Sequence, residues 1–398
     1  MHNALELGKQ HFMQGIALFE AGQLSAAEAA FIEALKHVPG RPSVLLNLGV
    51  TRTRLGAFAE AIASLQEALA ADPQMADGWA ALATACEATS RWHEALQALD
   101  QTLMLGLHAP EWRWRRARVL NRLGRFEDAL AAYRELLTDE PGLADAWVEL
   151  GEMHRIAGRW DEAADAYRQG QAQGADASWT QYLLAAVTGQ GHVPRPPRVY
   201  VQTLFDEYAP EFDAHLVGTL GYRGHETLID LLPSGPLGRV LDLGCGTGLC
   251  ALRLRPRAMR LVGVDLSPVM VAQAQARQLY DAVLCADFHD WLPTSTEPFD
   301  TVVAADVFIY VGELAAAFAA LAPVLQPGGY LAFTVESGQA GTGAQLQPSL
   351  RYTHAPDYIR QCAAQHGWTV VRQVEAPIRE DQRQPVMADY YLLQAGSK

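Results

Sequence analysis

The stretch that decides the fold is Arg239–Leu249, R-V-L-D-L-G-C-G-T-G-L. Its hydrophobic residues predict a buried strand that ends at Leu243. The glycines at alternate positions, Gly244, Gly246 and Gly248, predict a tight turn that leads into a helix, because glycine tolerates positive φ and a ligand can approach its backbone closely. In doubly wound α/β sheets a ligand binds at such a turn, outside the carboxyl end of the first strand. The stretch therefore predicts a ligand site.

The spacing of the glycines and one carboxylate indicate which ligand binds. The dinucleotide fingerprint is G-x-G-x-x-G, which holds a pyrophosphate at a helix N-terminus. Here the third glycine comes one residue earlier, and Asp242 stands two residues before the first glycine. A carboxylate at that place would repel a phosphate and suits a cationic ligand. An ordinary strand–turn–helix of some other α/β protein is the alternative.

Length, charge and cysteine usage narrow the class of protein. The 398 residues carry a net charge of −14, and 49% of them are hydrophobic. This predicts two or more globular domains and argues against a nucleic-acid surface, which needs clustered Lys and Arg. Five cysteines without a C-x-x-C pair argue against a zinc site or a disulfide scaffold. We find no signal peptide or bilayer-spanning apolar run, so we expect a cytoplasmic protein with no metal and no membrane partner.

A period of 34 residues runs through the first part of the chain. Small residues recur in two registers and large ones in a third, which indicates helices that cross at the small residues. The registers are Ala27, Ala61, Ala95, Ala129 and Ala163; Gly15, Gly49, Ala83, Ala117 and Gly151; and Phe31, Leu65, Leu99, Tyr133 and Tyr167. Repeats of this length indicate stacked supersecondary units.

This part of the chain resembles the tetratricopeptide repeat, which has two antiparallel helices per unit. Five units extend from about Gly8 to Asp176, and a capping helix over Ser178–Thr188 covers the last one, since a stacked repeat array needs its ends closed. We therefore predict a repeat domain over residues 1–188. A proline-rich, semi-rigid linker follows over residues 189–198.

Such arrays usually bind a peptide or a protein in a concave groove that the first helix of each unit lines. In the fourth unit this face carries four candidates for gripping a carboxylate or an acidic segment. They are Trp114, Arg118, Asn121 and Arg122. A solvated arginine-rich face, paired with its own acidic neighbours, is the alternative. The array could also serve only to form a homodimer.

The D-x-G-x-G-x-G signature at Asp242 resembles the class I S-adenosylmethionine-dependent methyltransferases. The resemblance implies an α + α/β protein, in which the tetratricopeptide-repeat superhelix precedes a Rossmann-like seven-stranded domain over residues 199–398. It also implies S-adenosylmethionine as cofactor and S-adenosylhomocysteine as product. The sequence 306–309 lacks the [D/N]-P-P-[Y/F] motif of enzymes that methylate nucleic-acid bases, which agrees with the acidic charge.

The resemblance assigns roles to residues near the carboxyl ends of the strands. Asp265, 23 residues after Asp242, would bind the ribose hydroxyls, as an acid at this distance does in nucleotide-binding folds. Asp287 and Phe288 would meet the adenine. Tyr208 and Arg223, in or after aromatic lid helices over 199–232, would meet the methionine carboxylate. The predicted cofactor residues are Tyr200, Tyr208, Arg223, Asp242, Gly244, Cys245, Gly246, Gly248, Asp265, Leu266, Met270, Asp287, Phe288 and Asp306.

Methyl transfer from a sulfonium is an in-line displacement, so the protein mainly positions the acceptor. A general base is needed only for a neutral hydroxyl or a protonated amine. The predicted catalytic candidates are Tyr310, Glu336, His354 and Arg379, and a polar loop over 337–350 is expected to cover the acceptor pocket. We expect a methyltransferase for a peptide, protein or carrier-bound acceptor. The alternatives are a small-molecule methyltransferase with repeats for oligomerisation and a non-catalytic S-adenosylmethionine-binding scaffold.

Overall fold

A computed structural model describes residues 2–381 and 384–396. It divides into two compact units. One holds the chain up to Gly158 together with Ala172–Gly174, and the other holds Arg159–Gln171 and the chain from Ala175 onward. The division falls within the fifth predicted repeat.

The first unit is built from paired helices of 13 to 19 residues, joined by short turns. These are α1 (His2–Glu20), α2 (Leu24–His37), α3 (Pro42–Arg54), α4 (Phe58–Ala71), α5 (Ala76–Ala88), α6 (Trp92–Met104), α7 (Pro110–Arg122), α8 (Phe126–Asp139) and α9 (Ala144–Ile156).

The 34-residue period has a direct packing cause. A Cβ added at Gly15 would lie 2.5 Å from the Phe31 ring, and one added at Gly49 would lie 2.5 Å from Leu65. The same close crossing therefore recurs one period later, with the large residue filling the space that glycine leaves. The predicted repeat architecture is confirmed.

The second unit begins with the helices α10 (Trp160–Ala172), α11 (Ala177–Thr188) and α12 (Arg198–Tyr208). A 3₁₀ turn (Ala209–Glu211) and a π-helical turn (Ala214–Thr219) follow α12. The remaining helices are α13 (Gly224–Asp230), α14 (Ala251–Leu254), α15 (Pro268–Ala276), α16 (Phe288–Trp291), α17 (Leu314–Leu321) and α18 (Pro356–Gln365). The strands are β1 (Gly238–Leu243), β2 (Ala258–Asp265), β3 (Ala282–Cys285), β4 (Phe299–Ala304), β5 (Leu325–Ser337), β6 (Ala344–Leu346), β7 (Tyr352–His354), β8 (Trp368–Asp381) and β9 (Gln384–Ala395).

The sheet has the order β3-β2-β1-β4-β5, with parallel neighbours throughout this part. Antiparallel β9 pairs with β5, and β8 pairs with β9. The predicted Rossmann-like sheet is confirmed. Two short strands extend it beyond the predicted seven, because β7 pairs with the carboxyl end of β5 and β6 pairs with β7.

Apolar residues cover the sheet on both faces, so the central strands read as continuous hydrophobic runs. On β1, Leu241 and Leu243 pack into one cluster with Phe299 and Phe333, whereas Val240 packs into the opposite cluster. This burial fixes the carboxyl ends of β1, β2, β4 and β5 side by side. Among the described residues, no helix is both long and apolar enough to cross a bilayer.

Candidate functional site

The glycine turn after β1 forms one wall of a cavity. Gly244, Gly246 and Gly248 have φ values of 65°, 53° and 89°, a region that favours glycine. A Cβ added at Gly246 would meet nothing within 4 Å, whereas one added at Gly244 would lie 2.4 Å from Val307. Gly246 therefore leaves its backbone open to a ligand, while Gly244 allows the next loop to pack closely.

The cavity has a volume of about 450 Å³ and lies at the carboxyl ends of β1, β2 and β4. Its size is typical of a small-molecule site. Of the predicted cofactor residues, those that line it are Gly244, Gly246, Asp265, Leu266, Met270, Asp287, Phe288 and Asp306.

Two carboxylates and two apolar side chains shape one end of the cavity. Asp265 ends β2 and accepts hydrogen bonds from the backbone N–H groups of Gly246 (2.8 Å) and Ser267 (2.9 Å). Burial raises its pKa, and these bonds oppose the shift. Asp287 caps α16 by accepting from the backbone N–H of His289 at 2.9 Å. Acidic acceptors between the apolar walls of Leu266 and Phe288 fit a nucleoside, whose ribose hydroxyls and amino group are donors.

Asp242 lies beneath the turn and outside the cavity lining. Its side chain is 1% exposed, and its carboxylate accepts a hydrogen bond from the Tyr280 hydroxyl at 2.6 Å. Burial raises the pKa of Asp242 to about 7. The acid of the signature thus bonds Tyr280, on the face of β1 opposite to Leu241 and Leu243. Gly248 packs near the same tyrosine, at 3.1 Å from an added Cβ.

The lid segment, residues 198–219, closes the cavity with aromatic rings. Phe205 and Phe212 line it, and the ring of Phe205 stands edge-on to Tyr310 at 5.5 Å. Asp213 joins the lid segment to the glycine turn and to α15, since its carboxylate accepts from Thr247 Oγ1 at 2.5 Å and pairs with Arg277, the residue after α15.

The predicted lid contacts to a methionine carboxylate lie elsewhere. Tyr208 donates to or accepts from His215 Nδ1 at 2.7 Å, and Tyr200 stacks on Trp179 at 4.6 Å. Arg223 is 78% exposed and pairs with Glu226. Cys245 is buried beside the turn. None of these four lines the cavity.

The linker contributes a wall that the sequence did not predict. Arg195, Pro196, Pro197 and Arg198 line the cavity, and Arg195 lies 3.7 Å from Asp287. The linker is held because the Pro194 carbonyl accepts hydrogen bonds from the backbone N–H groups of Gly312 and Glu313. The prolines of the linker predict that it is stiff, but its composition does not indicate which surface of the domain it packs against.

A polar cluster, defined here as Asp306, Tyr310, Glu336, Arg351 and Arg379, borders the lid. Asp306 and Tyr310 follow β4 and line the cavity. Arg351 Nη1 and Arg379 Nη2 lie 3.4 Å and 3.3 Å from the same oxygen, Oε1 of Glu336. Three predicted catalytic candidates, Tyr310, Glu336 and Arg379, thus lie close together. Arg351 joins them, and it was not predicted from the sequence.

His354, the fourth catalytic candidate, has a structural position. It is fully buried, and its Nε2 lies 2.7 Å from the Val311 carbonyl. Burial lowers its pKa to about 4, so the ring is neutral at physiological pH. A neutral ring that donates to a carbonyl ties β7 to the loop after β4.

In the first unit, the groove candidates already have partners. Trp114 Nε1 donates to Glu149 at 2.6 Å, and Arg118 lies 3.5 Å from the same carboxylate. The Arg122 guanidinium lies 6.0 Å from the Trp92 ring. Asn121 is half-buried on α7. A ligand in the groove would have to compete with Glu149 for Arg118.

Two family models match the chain. The methyltransferase domain matches residues 241–333, and the tetratricopeptide repeat matches residues 12–76, 80–144 and 122–178.

Curated relatives match parts of the chain. The chain is 42% identical to human methyltransferase-like protein 27 over 25% of this chain and 43% of that protein. It is 28% identical to malonyl-[acyl-carrier protein] O-methyltransferase of Salmonella typhimurium over 44% of this chain and 71% of that enzyme. The chain covers about half the length of several of the curated relatives that it matches.

A solved structure is also similar. It is the N-methyltransferase NodS from Bradyrhizobium japonicum in complex with S-adenosyl-l-homocysteine, at 21% identity, with a TM-score of 0.36 over 43% of this chain and 85% of that one.

Proposed function

We propose that the chain is a class I S-adenosylmethionine-dependent methyltransferase with N-terminal tetratricopeptide repeats, and that it methylates an acceptor that belongs to, or is carried by, a protein bound to those repeats. The observation that carries the methyl-transfer assignment is the cavity, in which the open backbone of Gly246 lies beside the Asp265 carboxylate.

The residues of the cavity suit the donor. Asp265 would accept from the ribose hydroxyls, Asp287 from the adenine amino group, and Met270 and Phe288 would pack on the base. When bound, the donor supplies an activated methyl group on a positively charged sulfur. The chain's own task is then to exclude water and to align the acceptor, which the aromatic lid segment and Tyr310 support.

The carrier-bound acceptor is supported by the relatives. Several are named malonyl-[acyl-carrier protein] O-methyltransferase, so their acceptor is attached to a protein. A repeat array would give such an enzyme a docking surface for the carrier, in addition to the pocket that takes the acceptor. Multivalent attachment of this kind raises the effective concentration of the acceptor at the site.

The test combines binding with transfer. S-adenosylmethionine is titrated calorimetrically into wild type, Asp265→Ala and the surface control Asp230→Ala, and tritiated methyl transfer into a size-fractionated lysate is then measured. We expect Asp265→Ala to weaken binding by about tenfold or more, since a charged hydrogen-bond acceptor contributes roughly 1.5–3 kcal/mol. The control should match wild type.

The size of the labelled product separates the alternatives. Label in macromolecules supports a protein or carrier-bound acceptor. Label only in small molecules supports a small-molecule methyltransferase whose repeats form oligomers. Tight binding without any label would contradict the proposed activity and favour a scaffold that only binds the donor.

A further inference from the structure

The polar cluster holds two guanidinium groups that few acceptors satisfy. Arg351 and Arg379 each approach Oε1 of Glu336 at a single nitrogen, at 3.4 Å and 3.3 Å, and Arg351 also bonds the Tyr310 hydroxyl. A guanidinium has five N–H donors in a planar fork, which matches a carboxylate bidentately. Among the described residues, the acceptors that these two guanidinium groups contact use only a part of this capacity.

The polar cluster places two guanidinium groups on one carboxylate oxygen, Oε1 of Glu336. Burial raises the pKa of Asp306 in the same cluster, against the two arginines, which lower it. Asp306 has a φ of 58°, unusual for a residue with a side chain, and its backbone N–H donates to Thr334 Oγ1 at 2.8 Å. A residue with a side chain in this backbone region is typical of a functional site.

Arg351 is held from both sides by its chain neighbours. The Leu350 carbonyl accepts from the Tyr182 hydroxyl at 2.7 Å, and the Tyr352 hydroxyl donates to the Val193 carbonyl at 2.7 Å. Leu350 itself has a φ of 63°. The side chain of Arg351 is 32% exposed, so a fixed backbone presents an accessible guanidinium. Such preorganisation lowers the entropic cost of binding an anion.

The predicted catalytic candidates offer no free general base. His354 is buried and bonded to a carbonyl, and Glu336 lies between two arginines. A carboxylate acceptor needs no base, because it is already a nucleophile without a proton to lose.

These observations together assign the polar cluster a ligand: the geometry points to a subsite in which Arg351, Arg379 and Tyr310 bind a carboxylate of the acceptor, which becomes a methyl ester. This inference rests on the proposed methyl transfer. The carboxylate oxygen supplies the electron pair of the new carbon–oxygen bond, and the bond from the methyl carbon to sulfur breaks with its pair going to sulfur. The acceptor loses one negative charge, the sulfur loses its positive charge, and no proton is released.

The first test is the chemistry of the transferred label. Carboxyl methyl esters hydrolyse in alkali to volatile methanol, whereas N-methyl, S-methyl and ether groups do not. With tritiated S-adenosylmethionine and lysate, we expect most of the label transferred by wild type to become volatile after alkali. Label that stays bound overturns the inference and leaves the methyltransferase assignment intact. No transfer at all refutes the proposed activity and this inference with it.

The second test is substitution. We expect Arg379→Gln to lower the rate of alkali-labile transfer at least tenfold, while the Kd for S-adenosylmethionine stays within twofold of wild type, which also reports that the variant folds. The rate of Arg379→Lys should lie between those of wild type and Arg379→Gln, because lysine keeps the positive charge but lacks the planar set of N–H donors of a guanidinium. Arg372→Gln, an exposed arginine on the same strand, is the matched control. Equal rates for Arg379→Gln and this control would overturn the inference.

Discussion

At the scale of single residues, Asp242 makes stability depend on pH. Burial raises its pKa from 3.8 to about 7, although the Tyr280 hydroxyl opposes the shift. Between these pH values the folded protein keeps a proton that the unfolded chain has released. The free energy of unfolding therefore falls as the pH rises from about 4 to about 7. At about 1.4 kcal/mol per pKa unit, the fall is about 4 kcal/mol at most.

Asp242→Asn should remove this pH dependence, because an amide cannot ionise and still accepts from Tyr280. We expect wild type to lose stability relative to the variant between pH 4 and pH 7, measured by urea-dependent hydrogen exchange of the β1 amides. Asp230→Asn, an exposed carboxylate, should follow wild type. Parallel stability curves for wild type and Asp242→Asn would show that Asp242 keeps an ordinary pKa.

Local residue patterns were predictable where the cause is local. Ser267 and Pro268 begin α15 as its cap and first residue, with Ser267 Oγ accepting from the Met270 N–H at 3.1 Å. The glycine turn likewise follows from backbone freedom alone. The orientation of the Asp242 side chain could not be predicted, because it depends on a hydrogen bond with Tyr280, which lies 38 positions away in the sequence. The same holds for Arg351, whose partners come from other elements.

At the scale of elements, the lid segment is fastened by a few side chains. Asp213 joins it to Thr247 and Arg277, and Asp206 accepts from Ser267 Oγ at 2.5 Å. Because Thr247 follows Gly246 and Ser267 follows Leu266, the fastening acts on the loops that line the cavity. The carboxylate of Asp213 is 40% exposed, so solvent weakens its ion pair.

Asp213→Ala should therefore weaken S-adenosylmethionine binding by a few-fold to tenfold and increase hydrogen exchange over residues 205–219. The reason is that the lid segment would open more often when one anchor is lost. Calorimetry and exchange mass spectrometry measure the two effects. Glu211→Ala, an exposed carboxylate in the same segment, should change neither. An unaltered affinity in Asp213→Ala would mean that the lid segment closes without this anchor.

The segment after β5 shows where element prediction fails. Residues 337–350 are polar and glycine-rich without periodicity, so a mobile loop was expected, yet β6 forms there and pairs with β7. Each of these strands has three residues, too few for an alternating pattern. Their pairing depends on the free carboxyl end of β5, which is a property of the sheet. By contrast, the central strands read as continuous hydrophobic runs and the repeat helices carry the 34-residue period, so both could be predicted.

At the scale of the whole molecule, we propose that the repeats bind the protein that carries the acceptor and that the methyltransferase domain transfers the methyl group. The 34-residue period predicted the repeat array, and the glycine signature after a buried strand predicted the Rossmann-like sheet. The sequence could not predict what the groove binds, because Arg118 lies beside Glu149 in the structure and would have to be released to contact a partner. Only a functional measurement separates these two roles of the arginine face.

Replacing Arg118 and Arg122 together by alanine is that measurement. If the groove recruits the acceptor's carrier, the loss of two cations should raise the KM for the acceptor several-fold, because charged contacts steer and hold an acidic partner. The affinity for S-adenosylmethionine and kcat at saturating acceptor should stay unchanged, since neither arginine lines the cavity. The double variant Arg41→Ala and Arg134→Ala removes the same charge from exposed positions of the same unit and should behave as wild type. The increase in KM should become smaller as salt is added, because screening weakens the interactions of exposed charges. An unchanged KM in the Arg118 and Arg122 variant would show that this face does not recruit the substrate.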